Sequence, residues 1–416
     1  MGMRNIRVAP YFRDQVTPRM REMVNHILDT GILSHGEYSQ EFERRFSTEH
    51  GCAYGILSNS GTSALQVALQ AMKEIHHWHD GDEVIIPATT FVATANIVVH
   101  NRMVPVFVDV DSLTYNIDPA LIERAITPKT RAIIPVHLLG QPADMSSVID
   151  IAHNHNLKVI EDSCECIFVN HREKPVGSWG DIGCFSFYVA HLLVTGVGGM
   201  CTTSNPFYAA RIRSLVNHGM DMAQLNPGEN FTPRPNPNRR FFFSSVGYSY
   251  RITELDAALG LAQMDTIRES IERRWGNAQS LTTGIQTYVN LEYPEDPIRL
   301  SHLHVPMETE NAWMMYPIVL RRGLDKEPLM AHLNARGIET RDLLPLINQP
   351  AYARSLFSED YPVSQWLIES GFYVGCHQGL TLADMDTIVQ SLKDYFDTDR
   401  ERTQRENSRA PAALPA

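Results

Sequence analysis

Between about residues 50 and 200, short apolar and largely β-branched runs alternate with stretches whose apolar positions recur at helical spacing. "DEVIIP", "VPVFVDV", "RAIIPVHL" and "LKVIEDS" read as strands. In "SNSGTSALQVALQAM", Leu65, Ala68, Leu69 and Met72 fall on one helical face, which places Ser60, Gly61 and Thr62 at a helix N-terminus. Strands interleaved with helices predict an α/β fold. Further on, "GYSYRITELDAALGLAQM" predicts a helix whose start carries Ser249, Tyr250, Arg251 and the cap-forming Thr253. "RRWGNAQSLTTGI" reads as a connecting helix, followed by a strand at "MMYPIVL", a helix at "KEPLMAHLNARG" and a closing helix at "ADMDTIVQSLKDYF". The expected organisation is a large α/β domain with an N-terminal segment over 1–275, a smaller C-terminal α+β domain over 276–398, and a disordered tail over 399–416, where the sequence turns polar and then Ala/Pro-rich.

A length of 416 residues suits one large and one small domain sharing a site. The charged fraction of 20% is that of an ordinary globule, and no apolar run approaches the roughly 20 residues of a membrane span. The start, "MGMRNIRVAPYFRDQ", lacks the apolar centre of a signal peptide, so the expected address is cytoplasmic. A net charge of -12 without basic clusters disfavours nucleic acid as a partner but leaves small anions open. Cys52, Cys164, Cys166, Cys184, Cys201 and Cys376 are scattered, which fits reduced thiols, and no metal is expected.

Four stretches carry candidate chemistry. "SNSGTSAL" offers free N–H groups and a helix dipole to a phosphate, or is an ordinary cap made by Ser60 or Thr62. "LKVIEDSCE" puts Glu161 and Asp162 at the end of an apolar strand, the edge where open α/β sheets bind ligands. A carboxylate there caps a helix or holds a pyridine nitrogen protonated, which turns the ring into an electron sink. Phe91, in "PATTFVATAN", is either a core aromatic or a surface on which a flat ring stacks. In "GDIGCFSFYVAHLL", Ser186 is followed five residues later by His191 and then by the turn "TGVGG". A lone histidine is more often structural, but this one has chemically suggestive neighbours.

With "GILSHGEYSQEFERRF", "IIPATTFVATAN", "VIEDS", "GSWGDIGCFSFY", "NHGMD", "YRITELDAALGLAQM" and "GIETRDLLPLINQPAY" in order, the chain resembles the DegT-type family of nucleotide-sugar aminotransferases. The resemblance implies a fold type I architecture and pyridoxal or pyridoxamine phosphate as cofactor. It implies that Asp162 pairs with the pyridine nitrogen, that Phe91 stacks on the ring, and that Ser60, Gly61, Thr62 and Ser186 surround the phosphate. Glu165 falls where the family has Gln or His near the phenolic oxygen, and Ser249 where Asn reaches a partner subunit's phosphate, which implies a homodimer.

His191 occupies the position of the lysine that captures the cofactor, and none of the six lysines lies between Lys174 and Lys326. That exchange resembles a branch of nucleotide-sugar 3-dehydratases acting on 4-keto-6-deoxyhexoses. Imidazole cannot bind the cofactor covalently, but it shuttles protons near neutral pH. The expected cofactor is therefore noncovalently bound, with His191 as acid and base, glutamate as amino donor, and Arg251 as candidate for the donor's carboxylate. An aminotransferase and a catalytically silent binding or regulatory relative are the alternatives.

Overall fold

The structure, a computed structural model, describes residues 5–220, 242–293, 296–304, 309–352 and 360–409. Two N-terminal helices, α1 (Pro18–Thr30) and α2 (Glu37–Glu49), precede strand β1 (Tyr54–Ser58) and helix α3 (Gly61–Ile75). Then β2 (Glu83–Pro87), α4 (Val92–His100), β3 (Val104–Val108), α5 (Pro119–Ala125), β4 (Thr130–Ile133), α6 (Met145–Asn154) and β5 (Lys158–Asp162) alternate as the hydrophobic pattern implies. A small hairpin, β6 (Asn170–His171) and β7 (Lys174–Pro175), leads into β8 (Ile182–Ser186), β9 (Gly199–Thr203) and α7 (Pro206–Val216).

These strands form a seven-stranded sheet in the order β1-β9-β8-β5-β4-β2-β3. It is mixed: β2, β3, β4, β5 and β8 run parallel, while β9 is antiparallel to both β1 and β8. Helix α3 packs against the β8–β9 edge and buries Leu65, Ala68, Leu69 and Met72, the four positions its periodicity marked. Its first turn is closed by Ser60, whose Oγ accepts from Ser63 N at 3.0 Å.

Helices α8 (Glu254–Gln263) and α9 (Ile267–Tyr288) follow. Thr253 caps α8 in a reciprocal box with Asp256. The second sheet is antiparallel, ordered β10-β11-β13-β12 from β10 (Ile298–Arg299), β11 (Tyr316–Leu320), β12 (Arg341–Asp342) and β13 (Gly371–Val374). It is accompanied by α10 (Glu327–Ala335), α11 (Pro362–Ser370) and α12 (Leu382–Arg409). The expected boundary at 275/276 falls inside α9, and we propose that the chain passes between its two units within that helix. Helix α12 continues through 399–409, the first part of the expected tail, and 410–416 lies outside the described residues. Among the described residues no helix is long and apolar enough to cross a membrane.

Candidate active site

A cavity of about 540 Å³ opens where the C-terminal ends of β5 and β8 meet the N-termini of α3 and α4. That is the edge at which open α/β sheets place their ligands. Ser60, Gly61, Thr62, Phe91, Asp162, Glu165, Ser186 and His191 all line it.

Strand alternation separates the two carboxylates of "VIEDS". Glu161 turns into the protein, where its carboxylate meets His137 Nε2 at 3.1 Å and accepts from Gly177 N and Gly180 N, both at 2.7 Å. It is a structural anchor. Asp162 turns into the cavity at 5% exposure. Its Oδ2 accepts from Thr94 Oγ1 at 2.8 Å and its Oδ1 from Cys164 N at 3.3 Å. Burial pushes its proton affinity up, these donors oppose that, and no ion pair reaches it among the described residues. A buried carboxylate of this kind is complementary to a cationic N–H such as a protonated ring nitrogen.

The α3 terminus faces the same space. A Cβ on Gly61 would lie 2.6 Å from Ser186 Cβ and 2.8 Å from Cys164 Sγ, so only glycine leaves this cradle open. The Ser60 hydroxyl is committed to the cap, bonding Ser63 through both its nitrogen and its hydroxyl, which leaves Thr62, the Ser186 hydroxyl and helix N–H groups for an anion. Phe91, at the N-cap of α4, is 56% exposed. It is not a core aromatic; its ring is available to a ligand.

His191 lies on the 187–198 loop between β8 and β9. Phe187 N donates to Gly198 O and Thr195 N to Phe187 O, both at 2.9 Å, which closes the loop on itself. Gln263 pins it to α8, accepting from Val194 N at 3.0 Å and donating to Val194 O at 2.6 Å. The turn that follows His191 is thus tied down. Nδ1 of His191 is buried without a hydrogen-bond partner, and burial holds the imidazole down to about 4. The ring is therefore neutral at ordinary pH, not evenly divided between its two forms as a free histidine would be. Burial acts in the opposite sense on Glu165: despite a bond from Leu139 N at 2.7 Å, and with Asp162 reinforcing the effect, its carboxyl is pushed up to about 7.

Two expected residues stand elsewhere. Arg251 does not reach the cavity of its own chain: Nη2 donates to His218 Nε2 and Ser249 Oγ, both at 3.1 Å, at the surface before α8. Ser249 lies with it outside the cavity. The arginine that does line the site is Arg341 on β12, joined by Asp342, Tyr373 and Met314. In the sequence this stretch, "GIETRDLLP", carries the family resemblance without singling out Arg341; the signal is a charged pair beside an apolar run. Among the described residues no lysine lines the cavity. Lys326 comes nearest in bonding terms, paired with Asp342 at 2.5 Å and donating to Gly371 O.

Known proteins resemble this chain along most of its length. The chain is 36% identical to GDP-perosamine synthase of Caulobacter vibrioides over 89% of this chain and 94% of that protein. It is 31% identical to dTDP-4-dehydro-2,6-dideoxy-D-glucose 3-dehydratase of Saccharopolyspora spinosa, over 90% of this chain and 83% of the other. The fold superposes with a TM-score of 0.83 on Escherichia coli GDP-4-keto-6-deoxy-D-mannose-3-dehydratase with bound hydrated PLP, at 23% identity, covering 94% of this chain and 100% of that one. A family profile matches residues 14–393, and the chain belongs to the DegT/DnrJ/EryC1/StrS aminotransferase family.

Proposed function

We propose that this chain removes the C3 oxygen of a nucleotide-linked 4-keto-6-deoxyhexose, with pyridoxamine phosphate held noncovalently, His191 as acid and base, and glutamate as the reductant. The observation that carries the reading is His191 at the cavity wall with no lysine among the lining residues. Bound there, the cofactor supplies an electron sink and an exchangeable amine. Asp162 would hold the ring nitrogen protonated, Phe91 would cover one ring face, and Gly61, Thr62 and Ser186 would hold the phosphate.

A buried, neutral imidazole is in the right state to take a proton from the cofactor's methylene carbon. Once protonated it is a strong acid for its surroundings, because burial disfavours the charge, and it passes that proton to the departing C3 hydroxyl. The overall balance closes: the sugar gains two electrons and loses one oxygen, glutamate becomes 2-oxoglutarate, and its nitrogen leaves as ammonia. Arg341 is placed to grip a carboxylate or phosphate at the mouth. A homodimer in which Ser249 approaches the neighbouring subunit's site belongs to the same proposal.

A second reading, amine transfer to the sugar, is favoured by the 36% identity to a perosamine synthase. Against it stands the imidazole, which has no primary amine with which to displace an aminated product. Mass spectrometry after incubation with a 4-keto-6-deoxyhexose nucleotide, pyridoxamine phosphate and glutamate separates the two. Loss of one oxygen from the substrate is expected, and a 4-amino product would overturn the proposal.

A further inference from the structure

Behind the His191 loop lies a second cavity of about 560 Å³, bounded by the N-terminal segment, the start of α9 and the 377–380 turn. Its volume suits a small metabolite. It does not share the chemistry of the first site. Three guanidiniums face it, from Arg7, Arg13 and Arg273, against two carboxylates, Asp14 and Glu269. Arg7 is only loosely engaged, with Nε 3.7 Å from Glu339 and the guanidinium 4.1 Å over Tyr11. Arg13 lies 3.4 Å from its exposed neighbour Asp14, a pairing that water screens heavily. Arg273 has no ion-pair partner among the described residues. Immediately behind, the fully buried Arg274 donates to the carbonyls of Trp313 and Met314 and adds its charge to the same region.

The wall also holds polar atoms without partners. His377 is 4% exposed; its Nδ1 accepts from Gly379 N at 3.1 Å, so the proton of the neutral ring sits on Nε2. That Nε2 is buried and unpaired, the Arg7 carbonyl approaching it without hydrogen-bond geometry. Burial and the positive charge of Arg274 hold the ring down to about 3, which keeps it neutral. Gln378 donates through Nε2 to Gln15 Oε1 at 3.1 Å, which leaves Gln15 Nε2 and Gln378 Oε1 both buried and unsatisfied. A buried polar atom without a partner is costly, and a cavity that collects three of them beside loosely engaged guanidiniums is complementary to a polar anion.

We propose that this cleft is a second ligand site, separate from the candidate active site, that binds a small oxyanionic metabolite. Arg273, with Arg13 and Arg7, takes its phosphate or carboxylate oxygens, while Gln15, Gln378 and His377 take its remaining polar groups. The ligand sits against Leu192 and Gln263, the residue after His191 and the amide that pins the His191 loop.

The test is calorimetric titration of the cofactor-loaded full chain with a hexose 1-phosphate and, separately, with succinate, which distinguishes a phosphate ester from a carboxylate. One of the two is expected to bind once per chain. Arg273→Glu, an exposed substitution that breaks no described contact, is expected to weaken that binding by at least about tenfold, and Gln378→Leu to weaken it less, while Arg341→Ala, at the mouth of the active cavity, leaves it unchanged. Absence of binding by both probes in the millimolar range would overturn the proposal. So would binding that Arg273→Glu and Gln378→Leu leave intact, or binding abolished by Arg341→Ala, because the probe would then be occupying the active cavity.

Discussion

The two walls of the active cavity are built differently. The wall from the large sheet carries Asp162, Glu165, Ser186 and His191 on a buried framework, and burial has moved the proton affinities of three of them. The wall from the small sheet carries Arg341 and Asp342, both exposed, both already paired, to Glu339 and Lys326. Burial tunes protons; exposure leaves charge fixed and exchangeable between partners. On the proposed function, the first wall carries the bond-making chemistry and the second recognises anionic groups.

The largest test of that division is His191→Asn. It is expected to lower kcat by about 10²–10⁴-fold in steady-state assays while KM moves little, and retention of turnover would remove His191 from proton transfer. Asp162→Asn is next: losing a charge-assisted bond to the ring nitrogen should weaken cofactor binding by about ten- to a hundredfold, as read by titration of the apo-protein, and unchanged affinity would mean that Asp162 does not face the ring. Arg341→Ala should invert the pattern of His191→Asn, raising KM for an anionic substrate by about tenfold with a smaller change in kcat. A fall confined to kcat would move Arg341 to the chemical wall.

The smallest effect sharpens the comparison through pH. Glu165 has its folded value raised to about 7 from an ordinary 4.5, so the folded apo-protein binds an extra proton between these values. The associated stability is present in full below about pH 4.5 and is lost as pH rises through about 7. Denaturant unfolding of Glu165→Gln should show a flatter dependence over that window than the unsubstituted chain. Identical slopes would show that the carboxyl titrates normally.

The division also explains what the sequence disclosed. The large-sheet wall is made of local words: a strand ending in Asp162, a helix opening at Gly61, a loop bearing His191, each readable from apolar periodicity and the residue that interrupts it. The parallel strands β2, β3, β4 and β5 were legible because each is a short apolar run bounded by polar residues. Strands β1, β8 and β9 were not legible, since each contains a glycine, and the antiparallel partner of β1 lies far along the chain. Opposite fates for Glu161 and Asp162 became visible only once the strand set its alternation. Arg341 was missed, and Arg251 does not line the cavity of its own chain, because whether a surface arginine reaches a cavity depends on how sheets and subunits pack, which no local pattern encodes.

The exchange of lysine for His191 makes the central claim a statement about where one nitrogen goes. With ¹⁵N-glutamate, pyridoxamine phosphate and a 4-keto-6-deoxyhexose nucleotide, the expected products are an unlabelled 3-deoxy-4-keto sugar, labelled ammonia and 2-oxoglutarate. A ¹⁵N-labelled 4-amino sugar that retains its C3 oxygen would contradict it.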